Sequence, residues 1–232
     1  MLMTLAGLKL SSPHFSLISK RMGDIRRKPL VIPRGEDIHV LVDSTGLKIF
    51  GEGEWKMRTH GKSKRRTWRK FHIGIDAKTQ SIVACEITEA NVHDGKMLTP
   101  LLEPISDKVG AVTGDGAYDS KSNYGKVKGW GAVPVFPPPE NATANKRSDP
   151  LRRSYVERIK ELGDNEEARK MWKQEVGYHR RSLVETSMFR FKTIFGDRLS
   201  SRKFENQRAE ALFKAYMLNK MTHLGMPNSH VA

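Results

Sequence analysis

Six β-prone runs precede residue 137, and the longest stretches of helical spacing come after it. That order constrains the fold more than any other feature of the chain. Ile38-His39-Val40-Leu41-Val42 is nearly continuous and ends on Asp43; Leu47–Phe50, Thr67–Ile75, Ser81–Thr88, Val109–Thr113 and Ala132–Phe136 follow. A helix is expected over Met97–Ile105, with Pro100 near its start and Asp94 or Thr99 as N-cap. Past the breaker Pro137-Pro138-Pro139 come a charged stretch, 140–176, helical around Tyr155–Leu162, then helices over about 178–195 and 206–224. Strands first and covering helices later predict one α/β domain with a mixed sheet flanked by helices. The 232 residues, 38% of them hydrophobic, suffice for one full core.

Three carboxylates sit where a fold of this class needs an explanation for them. Asp43 follows one apolar run and precedes Ser44-Thr45-Gly46; Asp115 follows another and lies between Gly114 and Gly116. An aspartate at a strand end among small residues leaves room for a metal and a phosphate to approach the backbone. A turn aspartate is the commoner reading of either residue alone, and Asp119 is the natural decoy.

The third is Glu185. Tyr178, Arg181, Glu185 and Lys192 stand at offsets 0, 3, 7 and 14. At about 100° per residue they share a helical stripe roughly 60° wide. Val184, Met188, Phe191 and Phe195 form an apolar stripe beside it. Ordinary amphipathic helices also have polar faces. The chemistry is what joins the three carboxylates: two-metal phosphodiester cleavage needs oxygen ligands that hold Mg²⁺ or Mn²⁺ about 3.5–4 Å apart.

At these residues the chain resembles the insertion-sequence-five family of transposases, whose aspartate–aspartate–glutamate triad lies on a ribonuclease-H-like fold. DSTGLKIFGEGEWK at 43–56 is similar to the family's first-aspartate region and GDGAYD at 114–119 to its second. Its signature of Tyr, two residues, Arg, three residues, Glu, six residues, Lys is met by Tyr178, Arg181, Glu185 and Lys192. The likeness runs from about 37 to 227, through RRTWRKFHIGID at 65–76 to Leu224-Gly225-Met226-Pro227.

The resemblance implies a ribonuclease-H-like domain over 37–227 with a charged helical insertion before the last catalytic helix. It implies Asp43, Asp115 and Glu185 as ligands of two Mg²⁺ or Mn²⁺ ions, and Tyr178, Arg181 and Lys192 as DNA contacts near the scissile phosphate. Asp119 becomes supporting or structural. The expected partner is double-stranded DNA, both element ends and target, bound by a homo-oligomer. Residues 1–36 read as a remnant of an N-terminal helical DNA-binding region plus connector, and 228–232 as a disordered tail. Two rivals are a truncated, non-catalytic DNA-binding regulator of transposition and a nuclease of the same fold without strand transfer.

The charge balance agrees with a polyanionic partner. The net charge is +15, and each Lys or Arg placed on a phosphate releases condensed counterions. Between Trp55 and His72 lie eight cations (Lys56, Arg58, Lys62, Lys64, Arg65, Arg66, Arg69 and Lys70) with no acidic residue among them. They are expected to follow a DNA backbone, with Trp55 and Trp68 in the core. His60, His72, His93 and His179 form no defensible metal constellation, and Ser44 and Ser120 lack a nucleophile motif. One cysteine, Cys85, excludes an internal disulfide and fits a reducing, cytoplasmic, nucleoid-associated setting. No run approaches the roughly 20 apolar residues of a membrane span, and the N-terminal MLMTLAGLKL lacks the marks of a signal peptide.

Overall fold

The computed structural model describes residues 37–49 and 68–225, together with positions 14, 16, 17, 20, 21 and 30. Ser16, Leu17, Lys20 and Arg21 are helical. The remainder of the expected N-terminal helix, the cations from Lys56 to Arg66, Trp55, His60 and the expected tail at 228–232 lie outside the described residues.

The strands are β1 (Ile38–Ile49), β2 (Trp68–Asp76), β3 (Ile82–Glu89), β4 (Val109–Thr113), β5 (Val133–Val135) and β6 (Arg198–Leu199). The α-helices are α1 (Asp94–Leu102), α2 (Lys121–Gly129), α3 (Pro150–Glu161), α4 (Glu166–Glu175), α5 (Ser182–Phe195) and α6 (Phe204–His223). The sheet order is β3-β2-β1-β4-β5, with β6 pairing β1 as well. β2 runs antiparallel to both β1 and β3, whereas β4 and β6 lie parallel to β1 and β5 parallel to β4. This mixed six-stranded sheet, flanked by six α-helices among the described residues, is a ribonuclease-H-like α/β fold.

Strand alternation divides the core. Ile38, Val40 and Val42 pack with Leu98, Leu101 and Leu102 of α1 and Tyr124 and Val127 of α2. Leu41 and Leu47, with Phe71, Ile73 and Ile75 of β2, pack with Val184, Met188 and Phe191 of α5 and Ala211, Ala215 and Leu218 of α6. Asp43 has the odd numbering of the second set and therefore faces the α5 layer. The apolar stripe expected on α5 is the one that seats it.

Four local expectations are corrected. Leu47–Ile49 form no separate strand, and Phe50 lies outside the described residues: β1 runs unbroken through Ser44-Thr45-Gly46, paired with β2 from Val40↔Asp76 to Lys48↔Trp68. Gly46 is a clearance site rather than a break, since a Cβ there would stand 3.0 Å from the Trp68 ring. Trp68 is half-buried over that glycine, not a core residue. The N-cap of α1 is His93, whose ring nitrogen accepts from Gly95 N at 3.2 Å. Finally, α5 begins at Ser182, because Gly177 takes a left-handed φ of 67° and Tyr178–Arg181 form a 3₁₀ turn before it.

The charged stretch folds as the helix pair α3–α4 with a small core of its own. Ile159, Ala168 and Trp172 are buried together, and the Tyr155 ring lies 5.1 Å from that of Trp172. Tyr155 also donates its hydroxyl to the Pro134 carbonyl at 3.1 Å, which ties the pair to β5. No described helix is long and apolar enough to cross a membrane.

Candidate active site

Asp43 lies in the interior of β1 rather than at a strand end. Its neighbour on the parallel side is β4, in a register that pairs Leu41 with Thr113. Asp43 stands two residues beyond that pair within β1, and Asp115 stands two residues beyond it, past the end of β4. β4 ends at Thr113 and the chain turns at Gly114, where a Cβ would meet Tyr118 Cδ2 at 2.6 Å and Val42 Cγ2 at 2.9 Å. Only glycine lets the turn close this tightly over Tyr118. Asp115 then caps the 3₁₀ turn Gly116–Tyr118, its Oδ1 accepting from Ala117 N at 2.9 Å.

The third carboxylate arrives from the opposite layer. Arg181 Nη2 donates to Asp43 Oδ2 and Arg181 Nη1 to Glu185 Oε1, each at 2.7 Å. One guanidinium thus bridges a strand carboxylate and a helix carboxylate 142 positions apart in sequence (185 − 43). Asp43 Oδ1 accepts from Ser44 N at 2.7 Å. Lys192, two turns beyond Glu185 on α5, donates to Thr45 Oγ1 at 2.6 Å, and Thr45 shares the face of Asp43.

The charges are strongly coupled. Burial raises the pKa of Asp43; Arg181 and the Ser44 amide oppose the rise, and the charges of Asp115 and Glu185 add to it. Burial pushes the Tyr178 hydroxyl up to about 12, opposed by Arg181 and assisted by Asp115, Asp43 and Glu185. Burial works against the charge of Arg181, yet Asp43, Tyr178, Glu185 and Asp115 hold it above the ordinary arginine value. Asp43, Asp115, Glu185, Tyr178 and Arg181 therefore belong to one electrostatic neighbourhood.

Residues 34–220 match a family model described as a transposase DDE domain, and residues 1–52 match a second model of the same description. The first match covers most of the chain and contains all three carboxylates. The chain belongs to the DDE transposase family. Membership supports a transposase function and implies a DNA substrate.

Other features of this DDE domain sort into supports and bystanders. Asp119, only 2% exposed at its side chain, is held bidentately by Arg152 of α3, with Nε at 2.8 and 3.0 Å and Nη2 at 2.7 Å. His39 Nε2 and Thr113 Oγ1, 2.8 Å apart, link β1 and β4 just before the two aspartates. Burial lowers the His39 pKa, and Arg180 lowers it further. Arg69 pairs with Glu89, donates to Gln207 Oε1 at 2.9 Å and lies over the Phe204 ring. Lys70 donates to the Val92 carbonyl at 2.8 Å and stands 3.2 Å from Asp94. Both cations thus have intramolecular partners. Of the other expected contacts, Lys56, Arg58, Lys62, Lys64, Arg65 and Arg66 lie outside the described residues.

The donor set suits a hard divalent ion. Asp43 projects from β1, Asp115 from the turn that follows the neighbouring parallel strand β4, Glu185 comes from the covering helix, and all offer carboxylate oxygens. Among the described residues, no three His, Cys, Asp or Glu side chains already surround one metal position. Between Asp43 and Glu185 the stand-in cation is the guanidinium of Arg181. Sequence reasoning placed Arg181 on the stripe of Glu185 but missed its bond to Asp43, and it missed Thr45 as the partner of Lys192. No local pattern encodes a contact between positions 138 or 147 residues apart.

Proposed function

We propose that this chain cleaves DNA at the ends of a mobile element and joins the freed 3′-hydroxyl to target DNA. Asp43, Asp115 and Glu185 hold Mg²⁺ or Mn²⁺ for both steps. The observation that carries the reading is the convergence of three carboxylates: Asp43 within β1, Asp115 just past the end of the neighbouring strand β4 with its charge acting on Asp43, and Glu185 brought to Asp43 through Arg181. When bound, a pair of divalent ions supplies activation of the attacking water or 3′-hydroxyl and stabilisation of the leaving oxygen.

The protein's part is positioning and charge. Asp43 is fixed by its strand and by the Ser44 amide, Asp115 by the turn it caps, and Glu185 by a helix seated on Val184, Met188 and Phe191. Arg181, Lys192 and Tyr178 stand around these carboxylates and face the DNA backbone near the scissile phosphate. A rigid set of donors and cations of this kind accelerates phosphoryl transfer by stabilising its transition state.

A nuclease of the same fold differs only in the second step. A duplex ending in the element's own terminal sequence, pre-cleaved to expose the 3′-hydroxyl, separates the two. Joined products in the presence of Mg²⁺ or Mn²⁺ are the expected result. Hydrolysis without joining would assign the chain to the nuclease.

A further inference from the structure

Arg181 does more than line the site: it holds the oxygens that a divalent ion would use. Its two 2.7 Å hydrogen bonds engage Asp43 Oδ2 and Glu185 Oε1 at the same time. The planar fork of a guanidinium fits carboxylate oxygens closely, and its charge never titrates away. The Arg181 and Asp43 side chains are 21% and 14% exposed, so their attraction is stronger than that of a surface pair. Yet the arrangement is incomplete. Among the described residues, Arg181 Nε is buried with no hydrogen-bond partner, so one of its donors is left unmet while the carboxylates are held.

An anion with several acceptor oxygens is the natural second resting place for such a group, and a DNA phosphate is one. We propose that Arg181 gates cation binding: in the free protein its guanidinium closes Asp43 and Glu185 together, and a backbone phosphate draws it away. Resting on the reading of Asp43 and Glu185 as metal ligands, the gate adds that DNA and divalent ion bind cooperatively. Each favours the state in which Arg181 has left the carboxylates, and the coupling between two such ligands is reciprocal. A site closed in this way engages its metal chiefly when DNA is in place.

The test is Mn²⁺ binding without catalysis, read from the electron paramagnetic resonance signal of free Mn²⁺ in titrations of the full chain. Arg181→Gln is compared with the parent, with Arg180→Gln as a control for loss of the same charge one residue away, and with Asp43→Asn. Arg181→Gln is expected to bind Mn²⁺ about tenfold more tightly than the parent, the scale of one hydrogen bond to a charged group. Arg180→Gln should stay near the parent, and Asp43→Asn should lose the site. A short duplex DNA should tighten Mn²⁺ binding by the parent and leave Arg181→Gln nearly unchanged. If Arg181→Gln does not fold, Arg181→Lys, which keeps the charge but loses the fork, carries the same prediction with a smaller shift. Equal or weaker binding by the Arg181 variants, with the site still lost in Asp43→Asn, overturns the gate alone. Parent-like binding by Asp43→Asn means the ions sit elsewhere, which removes the ligand reading and the gate with it.

Discussion

His72 has no exposed surface and sits on β2, where its Nε2 lies 2.9 Å from Thr88 Oγ1. The Thr88 hydroxyl also donates to the Glu89 carbonyl at 3.1 Å. Nδ1 stands 3.5 Å from Asp94 Oδ1, and neither atom has a hydrogen-bond partner among the described residues. Burial lowers the His72 pKa to about 4; Asp94 pulls the other way. The native state thus resists a proton that the unfolded chain accepts near its ordinary value of 6.5. Stability from this group is present above that value and is lost as pH falls towards 4, by up to roughly 3 kcal/mol. Urea unfolding at pH 7 and pH 5 should show the loss, and His72→Gln should reduce it. An unchanged pH dependence in the variant would place the acid sensitivity elsewhere.

At the scale of elements, the α3–α4 pair is held by two kinds of contact that mutation can separate. Arg152 of α3 grips Asp119, and Trp172 of α4 fills the small core beneath Tyr155. Arg152→Ala leaves a buried carboxylate unpaired, at a cost of about 3–5 kcal/mol. Trp172→Ala empties a large buried volume, at a similar cost of about 3–5 kcal/mol. Both should open residues 140–176 to limited proteolysis before the sheet unfolds; simultaneous loss of both regions would contradict a semi-independent pair. The spacing of Val184, Met188, Phe191 and Phe195 made α5 legible in the sequence, as β-prone composition did for β2, β3 and β4. By contrast, α2 was hidden: it contains Gly125 and Gly129 and buries only Asn123, Tyr124 and Val127, too few for an apolar period. The continuity of β1 was hidden as well, because Gly46 has the look of a turn until the Trp68 ring is seen above it. The choice of Asp43, Asp115 and Glu185 as one group was legible from motif order. Their link through Arg181 was not, since it depends on how α5 lies across the sheet.

For the whole molecule, a net charge of +15 on a DDE transposase domain means that much of its DNA affinity is electrostatic. Replacing Lys56, Arg58, Lys62 and Lys64 by Gln should weaken binding to any duplex. It should also flatten the logarithmic salt dependence by about 0.9 for each phosphate that is no longer neutralised. An unchanged slope would remove that segment from the DNA path. Everything else rests on the chemistry of the three carboxylates. The decisive measurement is nicking of duplex DNA by the purified chain in Mg²⁺ or Mn²⁺, beside Asp43→Asn, Asp115→Asn and Glu185→Gln. Metal-dependent nicking by the parent is expected, with a loss of at least about a hundredfold in each variant, the scale of removing one group that stabilises the transition state. Nicking that survives all three substitutions would mean that Asp43, Asp115 and Glu185 do not form the catalytic centre.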